Sequence, residues 1–124
     1  MRRDLDLVRD ILIQVGESNE PVDAATLGNG KPYSLVVYHC LLLEQHGLID
    51  FGTAKKDING EFLLLRINGL TWDGEDYLAA IADTGIWKKT KAEIAKVAKS
   101  VTFDVVKSTA ILLVQQQIKT NLNM

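Results

Sequence analysis

The 124-residue chain has one cysteine, two prolines and few aromatic side chains: three Phe, three Tyr and two Trp make up 6% of it. A lone Cys40 excludes an internal disulfide, and its apolar surroundings in the sequence make a reduced, packed thiol the expectation. Two prolines and nine glycines are too few for a long flexible linker. Uninterrupted apolar runs such as 110–114 fall far short of the roughly 18 residues that a membrane-spanning helix needs, so no membrane partner is expected. Residues 1–10 alternate charged and apolar side chains and lack the apolar core of a secretory signal, which predicts a cytoplasmic protein. No repeat of fixed period and no low-complexity tract is present. With two histidines, both in one segment, no Ser–His–Asp set can be assembled.

What is present is the composition of a globular domain, 47% hydrophobic and 24% charged. A chain of this length buries roughly two-thirds of its unfolded surface on folding, enough for a genuine core. The formal charge of −2 conceals a division. Residues 1–84 carry 7 basic and 14 acidic side chains and sum to −7, whereas residues 85–124 carry 7 basic and 2 acidic and sum to +5. The first part therefore starts at a disadvantage against DNA, because neutralised phosphates supply most non-specific affinity.

The apolar spacing Leu5, Val8, Ile11, Leu12, Val15 predicts a helix over 4–15, with Asp4 as its cap and Gly16 as its stop. Asp23 caps a short helix over 24–27, which Gly28, Asn29 and Gly30 break. A third helix is expected over 34–46, ended by Gly47. The β-prone runs 48–55 and 61–68 flank residues 57–60, and Asn59-Gly60 predicts a tight hairpin turn with positive φ at both positions. Thr71 opens another helix whose inward stripe is read as Trp72, Leu78, Ile81 and Ala82, with Gly85 at its end. Over 86–101, Trp87, Thr90, Ile94, Val97 and Val101 share one arc, and Lys88, Lys89, Lys96 and Lys99 fall opposite. Thr102 caps a last helix over 103–119, lined on one side by Phe103, Val106, Ala110, Leu113 and Val114.

Helix, short helix, helix, hairpin, helix is the order of a winged-helix domain. The expected fold class is α+β and mainly helical: a winged helix of three helices plus a β-hairpin wing over 1–84, with a C-terminal helical extension over 85–124. The step Gly47, Leu48, Ile49 supports it, since a left-handed glycine and a following apolar residue close a helix before a strand. The segments MRRDLDLVRDIL, VVYHCLLLEQHGLID and LTWDGEDYLAAI, the tryptophan in GIWKK, and VTFDVVK also occur here in order. Together they resemble an uncharacterised family of small phage- and prophage-encoded proteins, a domain of unknown function, from residue 2 to about residue 107. The resemblance implies a bacterial or phage cytoplasmic setting and a winged-helix N-terminal half. It implies no activity and carries over no catalytic or binding residue.

The segment 34–46 would be the recognition helix of such a domain, yet it contains no Arg or Lys. Ser34, Tyr38, His39, Glu44, Gln45 and His46 are its hydrogen-bonding side chains. Candidate phosphate contacts are Lys55 and Lys56 near the wing tip, with Lys31, Arg2 and Arg3. The stronger cationic cluster is Lys88, Lys89, Lys91, Lys96 and Lys99, which suits a nucleic-acid backbone, the acidic part of a neighbouring copy, or plain solvation. His39, Cys40 and His46 do not have metal-ligand spacing, because 39 and 40 point about 100° apart on a helix. Gly28, Asn29, Gly30, Lys31 lacks the spacing of a phosphate loop and is followed by Pro32, so a turn is expected. Asp73, Glu75 and Asp76 are explained by the helix dipole of a first turn.

No enzyme activity, metal or cofactor is expected. The leading expectation is a DNA-associated regulator making backbone contacts to double-stranded DNA. The alternative is a protein-interaction module that has lost DNA readout. A homodimer through Phe103, Val106, Ala110, Leu113 and Val114 is also expected.

Overall fold

The computed structural model describes residues 3–97 and 102–122. Among these residues the fold is α+β, with five α-helices and one three-stranded antiparallel sheet. Its elements run α1 (Leu5–Glu17), β1 (Val22–Asp23), a 3-10 turn (Ala24–Thr26), α2 (Tyr33–Gln45), β2 (Ile49–Lys56), β3 (Phe62–Leu70), α3 (Trp72–Ile81), α4 (Thr84–Val97) and α5 (Phe103–Leu122). The chain divides into two compact units, Met1–Leu78 and Ala79–Met124. Their boundary falls inside α3, whereas the sequence reading placed it after residue 84.

In the first unit, Asp4 caps α1 by accepting the Leu7 N–H at 3.1 Å. Leu7, Val8, Ile11, Leu12 and Val15 are buried. Gly16 does not stop the helix, which continues to Glu17. Its missing side chain instead makes room, because a Cβ there would lie 2.9 Å from Leu78 Cδ2. The expected second helix is a single 3-10 turn. Before it, Val22 and Asp23 pair with Ile67 and Arg66 as a third strand. A two-residue strand is too short for any alternating pattern to announce it.

The sheet order is β1-β3-β2, so β3 is central. Register shifts between Asp50 and Phe51, Phe51 and Ala54, and Lys55 and Lys56 interrupt the β2–β3 ladder, and such irregularities increase the local twist of a hairpin. Leu65 and Ile67 face inward with Ile49, Val36, Cys40 and Leu43, and all are buried. The end of α2 follows the sequence expectation. Gly47 adopts φ +71, the Leu48 N–H donates to the Leu43 carbonyl at 2.9 Å, and the buried Leu48 seals the cap.

The hairpin turn differs from expectation. Asn59 does not take a positive φ, while Gly60 does, at +82. Gly60 N–H donates to the Asp57 carbonyl at 3.1 Å, and the Asp57 N–H donates to the Glu61 carbonyl at 2.8 Å. This is a wider turn closed by one left-handed residue. The Asp57 carboxylate decides it by accepting the N–H groups of Asn59 at 2.8 Å and Glu61 at 3.0 Å.

Thr71 caps α3, its hydroxyl accepting the Gly74 N–H at 2.9 Å and donating to the Gly47 carbonyl. A Cβ on Gly74 would lie 1.9 Å from the Leu48 carbonyl oxygen, so only glycine lets the helix start against that backbone. Trp72 does not join the inward stripe. It is 81% exposed, and Ala82 is exposed too, while Tyr77, Ala80 and Ile81 take the buried side. A large apolar residue in the first turn fits a helical period equally well on either side, so the wheel could not place it.

In the second unit, Asp83 caps α4 through the Ile86 N–H at 2.9 Å. Ile86, Trp87, Thr90 and Ile94 are buried. The Thr90 hydroxyl, fully buried, donates to the Ile86 carbonyl at 2.7 Å and so is satisfied without leaving its helix. Thr102 caps α5 through the Val105 N–H at 3.2 Å. Helices α4 and α5 pack against each other. No helix among the described residues is long and apolar enough to cross a membrane.

Candidate nucleic-acid interface

Helix α2 buries Val36, Val37, His39, Cys40 and Leu43. Helical periodicity places Ser34, Tyr38, Leu41, Leu42 and Gln45 on its opposite, outward side. Of these, Ser34 and Gln45 are exposed and the other three half-buried. The outward face is therefore neutral and largely apolar.

The three residues that suggested a metal site have other uses. The His39 ring is fully buried and oriented at both nitrogens. Nε2 accepts the Asp4 N–H at 2.7 Å, which leaves Nδ1 to donate to the Leu35 carbonyl at 2.8 Å. The ring thus ties the entry of α1 to α2. Burial pushes the Cys40 thiol up to about 12, so it stays neutral and unreactive at ordinary pH. His46 lies exposed at the end of α2, with Nδ1 3.0 Å from the Leu42 carbonyl. No group of three His, Cys, Asp or Glu side chains able to hold a metal occurs among the described residues. The Gly28–Lys31 segment forms a turn, with the Lys31 N–H donating to the Gly28 carbonyl at 3.1 Å.

The hairpin and α2 together shape a cleft of about 260 Å³. Its walls are Tyr33, Ser34, Val37 and Leu41 on one side, and Gly60, Glu61 and Phe62 on the other. The Tyr33 hydroxyl is buried with no hydrogen-bond partner among the described residues. Burial, then the neighbouring Asp23 and Cys40, raise its pKa. Lys56 extends over the Phe62 ring, its Nζ 4.8 Å from the centroid. The hairpin turn thus stands beside the first turns of α2, which brings Ser34 and Lys56 to one surface. Lys31 lies exposed just before α2, and Lys55 is exposed on β2 opposite Leu64.

On α4, Lys88, Lys89 and Lys96 are exposed, and Lys91 is partly buried with its Nζ 5.7 Å from the Trp87 ring centroid. Lys96 is engaged by Glu93 at 3.1 Å on the surface, a pair of small energetic weight. The structure places Lys31, Ser34, Lys55 and Lys56 in the first unit, and Lys88, Lys89, Lys91 and Lys96 in the second. Lys99, Arg2 and Val101 lie outside the described residues, and so does the side chain of Val97.

The expected pairing face on α5 is corrected. Phe103, Val106 and Ala110 are at most 2% exposed, buried within the chain itself, and Leu113 and Val114 are half-buried. A stripe at a chain end looks the same whether it covers its own core or a second copy. The exposed apolar residues of α5 are Val105, Ile111, Leu112, Ile118 and Leu122.

Sequence reasoning also missed Val37, Leu41, Glu61 and Phe62 as neighbours in one cleft. No local signal joins them, because residues 33–41 and 60–62 meet only through the tertiary fold.

These features define a small α+β protein with a helix-and-hairpin surface and a separate lysine-bearing helix. The chain belongs to the family described as Hypothetical protein (DUF2513), whose model matches residues 2–102. It is similar to an "Uncharacterized protein" of Haemophilus influenzae, 29% identical over 121 residues, which cover 95% of this chain and 99% of the relative. No solved structure matches the chain.

Proposed function

We propose that the chain is a non-enzymatic, winged-helix protein of phage or prophage type that associates with double-stranded DNA as a regulator. The supporting observation is the topology of the first unit. A helix, a short strand, a 3-10 turn, a second long helix and a hairpin, with sheet order β1-β3-β2, put α2 beside the hairpin as a recognition helix stands beside its wing. In this reading Lys31, Lys55 and Lys56 touch phosphates around the first turn of α2. Lys88, Lys89, Lys91 and Lys96 form a second cationic surface. Base contacts are confined to Ser34, Tyr38 and Gln45, because Leu41 and Leu42 take the remaining outward positions. Binding is thus dominated by the backbone.

Fluorescence anisotropy with mixed-sequence duplex DNA at low and physiological salt tests this. Binding at low salt should collapse as salt rises. Replacing Lys31, Lys55 and Lys56 with Ala should reduce the slope of log K against log salt by about 2 to 3, close to 0.9 for each phosphate no longer neutralised.

A second reading is favoured by one observation. The outward face of α2 is apolar, and its cleft carries Glu61, whose carboxylate repels phosphate. In that reading the same surface binds a protein. Absence of DNA binding even at low salt would remove the first reading and leave this one.

A further inference from the structure

Helix α3 has two sides of different character. Gly74, Tyr77, Ala80 and Ile81 are buried on one. On the other, Trp72, Glu75, Asp76 and Ala79 follow one another at helical spacing, all exposed, and Asp83 comes just after. Scattered exposed leucines need no explanation, but a tryptophan 81% exposed leaves a large apolar surface in water. Carboxylates one turn away and the small Ala79 beneath make it an anchor that a closely approaching helical surface can accept.

A matching receptor lies in the second unit. A groove of about 390 Å³ runs between α4 and α5. Ile94, Val105, Leu112 and Leu113 line it, with Thr109 and Gln116 as its polar members. The Thr109 hydroxyl donates to the Val105 carbonyl at 2.8 Å, so it asks nothing of an occupant. Glu93, the acidic group in the wall, is held by Lys96. Helical spacing sets Lys89 one turn before Glu93 on α4 and Lys119 one turn after Gln116 on α5, which brings cations next to the groove. The groove is thus an apolar slot with lysines around it, and the α3 face is an apolar anchor with carboxylates around it.

We propose that a second copy of this chain inserts Trp72 into the α4–α5 groove, its Glu75, Asp76 and Asp83 meeting the rim lysines. Charge complementarity selects the occupant, since residues 1–84 sum to −7 and residues 85–124 to +5. Each copy carries one anchor and one receptor, so the contact joins one copy to another. This assembly does not depend on DNA binding.

Sedimentation velocity on the full chain from micromolar to about 100 µM reads it directly. The wild type should dimerise, and raising NaCl from 50 to 500 mM should weaken the dimer several-fold as the carboxylate–lysine attraction is screened. Trp72→Ala and Leu112→Asp each change an exposed side chain. Each should keep the thermal midpoint of the monomer while weakening association about thirtyfold or more, as loss of an interface anchor does. An equimolar mixture of the two variants should regain association, because the intact Trp72 of one meets the intact groove of the other. A wild type that stays monomeric throughout overturns the proposal. So does a Trp72→Ala dimer of undiminished affinity, and an association lost in Leu112→Asp alone would assign the groove to another occupant, such as α5 of the second copy.

Discussion

Helices α2 and α4 are almost equal in length, thirteen and fourteen residues, yet they hold opposite chemistry. Helix α2 contains one charged residue, Glu44, and α4 contains four lysines and Glu93. The first is apolar nearly all round and carries core residues against α1 and the sheet, so its outward face inherits leucines and a tyrosine. The second is apolar on one side alone, and its other side is free to be cationic. The lysines lie on the hairpin and on α4 instead, so the surface that α2 presents is uncharged apart from Glu44.

The strongest way to break the α2 side of this comparison is His39→Ala. It removes a fully buried ring, opens a cavity and leaves the Asp4 N–H without its acceptor. We expect a loss of about 3 kcal/mol in urea unfolding, the range of large-to-small core changes with an orphaned donor. A loss under about 1 kcal/mol would mean that the tie between α1 and α2 is dispensable.

A more gradual effect is expected at alkaline pH. The folded state holds the Cys40 thiol neutral up to about 12, while in the unfolded chain it ionises near its ordinary value of 9.0. Between these values the unfolded state has released a proton that the folded state retains, so stability is full below pH 9 and falls as pH rises toward 12. The slope approaches about 1.4 kcal/mol per pH unit for one such group. Cys40→Ala should flatten that decline in pH-dependent unfolding, and an unchanged slope would assign it to other groups.

The smallest stability effect is predicted for α4. Replacing Lys88 and Lys89 with Ala should shift unfolding free energy by no more than about 0.5 kcal/mol, since neither is buried. The same variant should lower the salt slope of DNA binding by about 1 to 2 if both lysines touch phosphate. An unchanged slope would confine DNA binding to the hairpin side and sharpen the contrast between the two units.

Much of the fold was legible because local rules act on adjacent residues. Asp4, Thr71 and Thr102 are caps by chemistry, and Gly47 followed by Leu48 ends a helix in one conformation. Helix spans were read to within a few residues for the same reason. The candidate site was legible only as a roster of lysines. Their grouping, and the cleft that Val37, Leu41, Glu61 and Phe62 build with Ser34, arise from segments far apart in sequence.

By itself the sequence determined the order of helices and hairpin, the burial of α1 and the two-sided charge of the chain, since periodicity and caps are short-range. The tertiary structure decided which side of each stripe meets the core. It buried Phe103, Val106 and Ala110 within the chain and left Trp72 in water, because a helical wheel fixes which residues share a face but not what that face touches. It also added β1, whose two residues become a strand only when β3 supplies the hydrogen bonds.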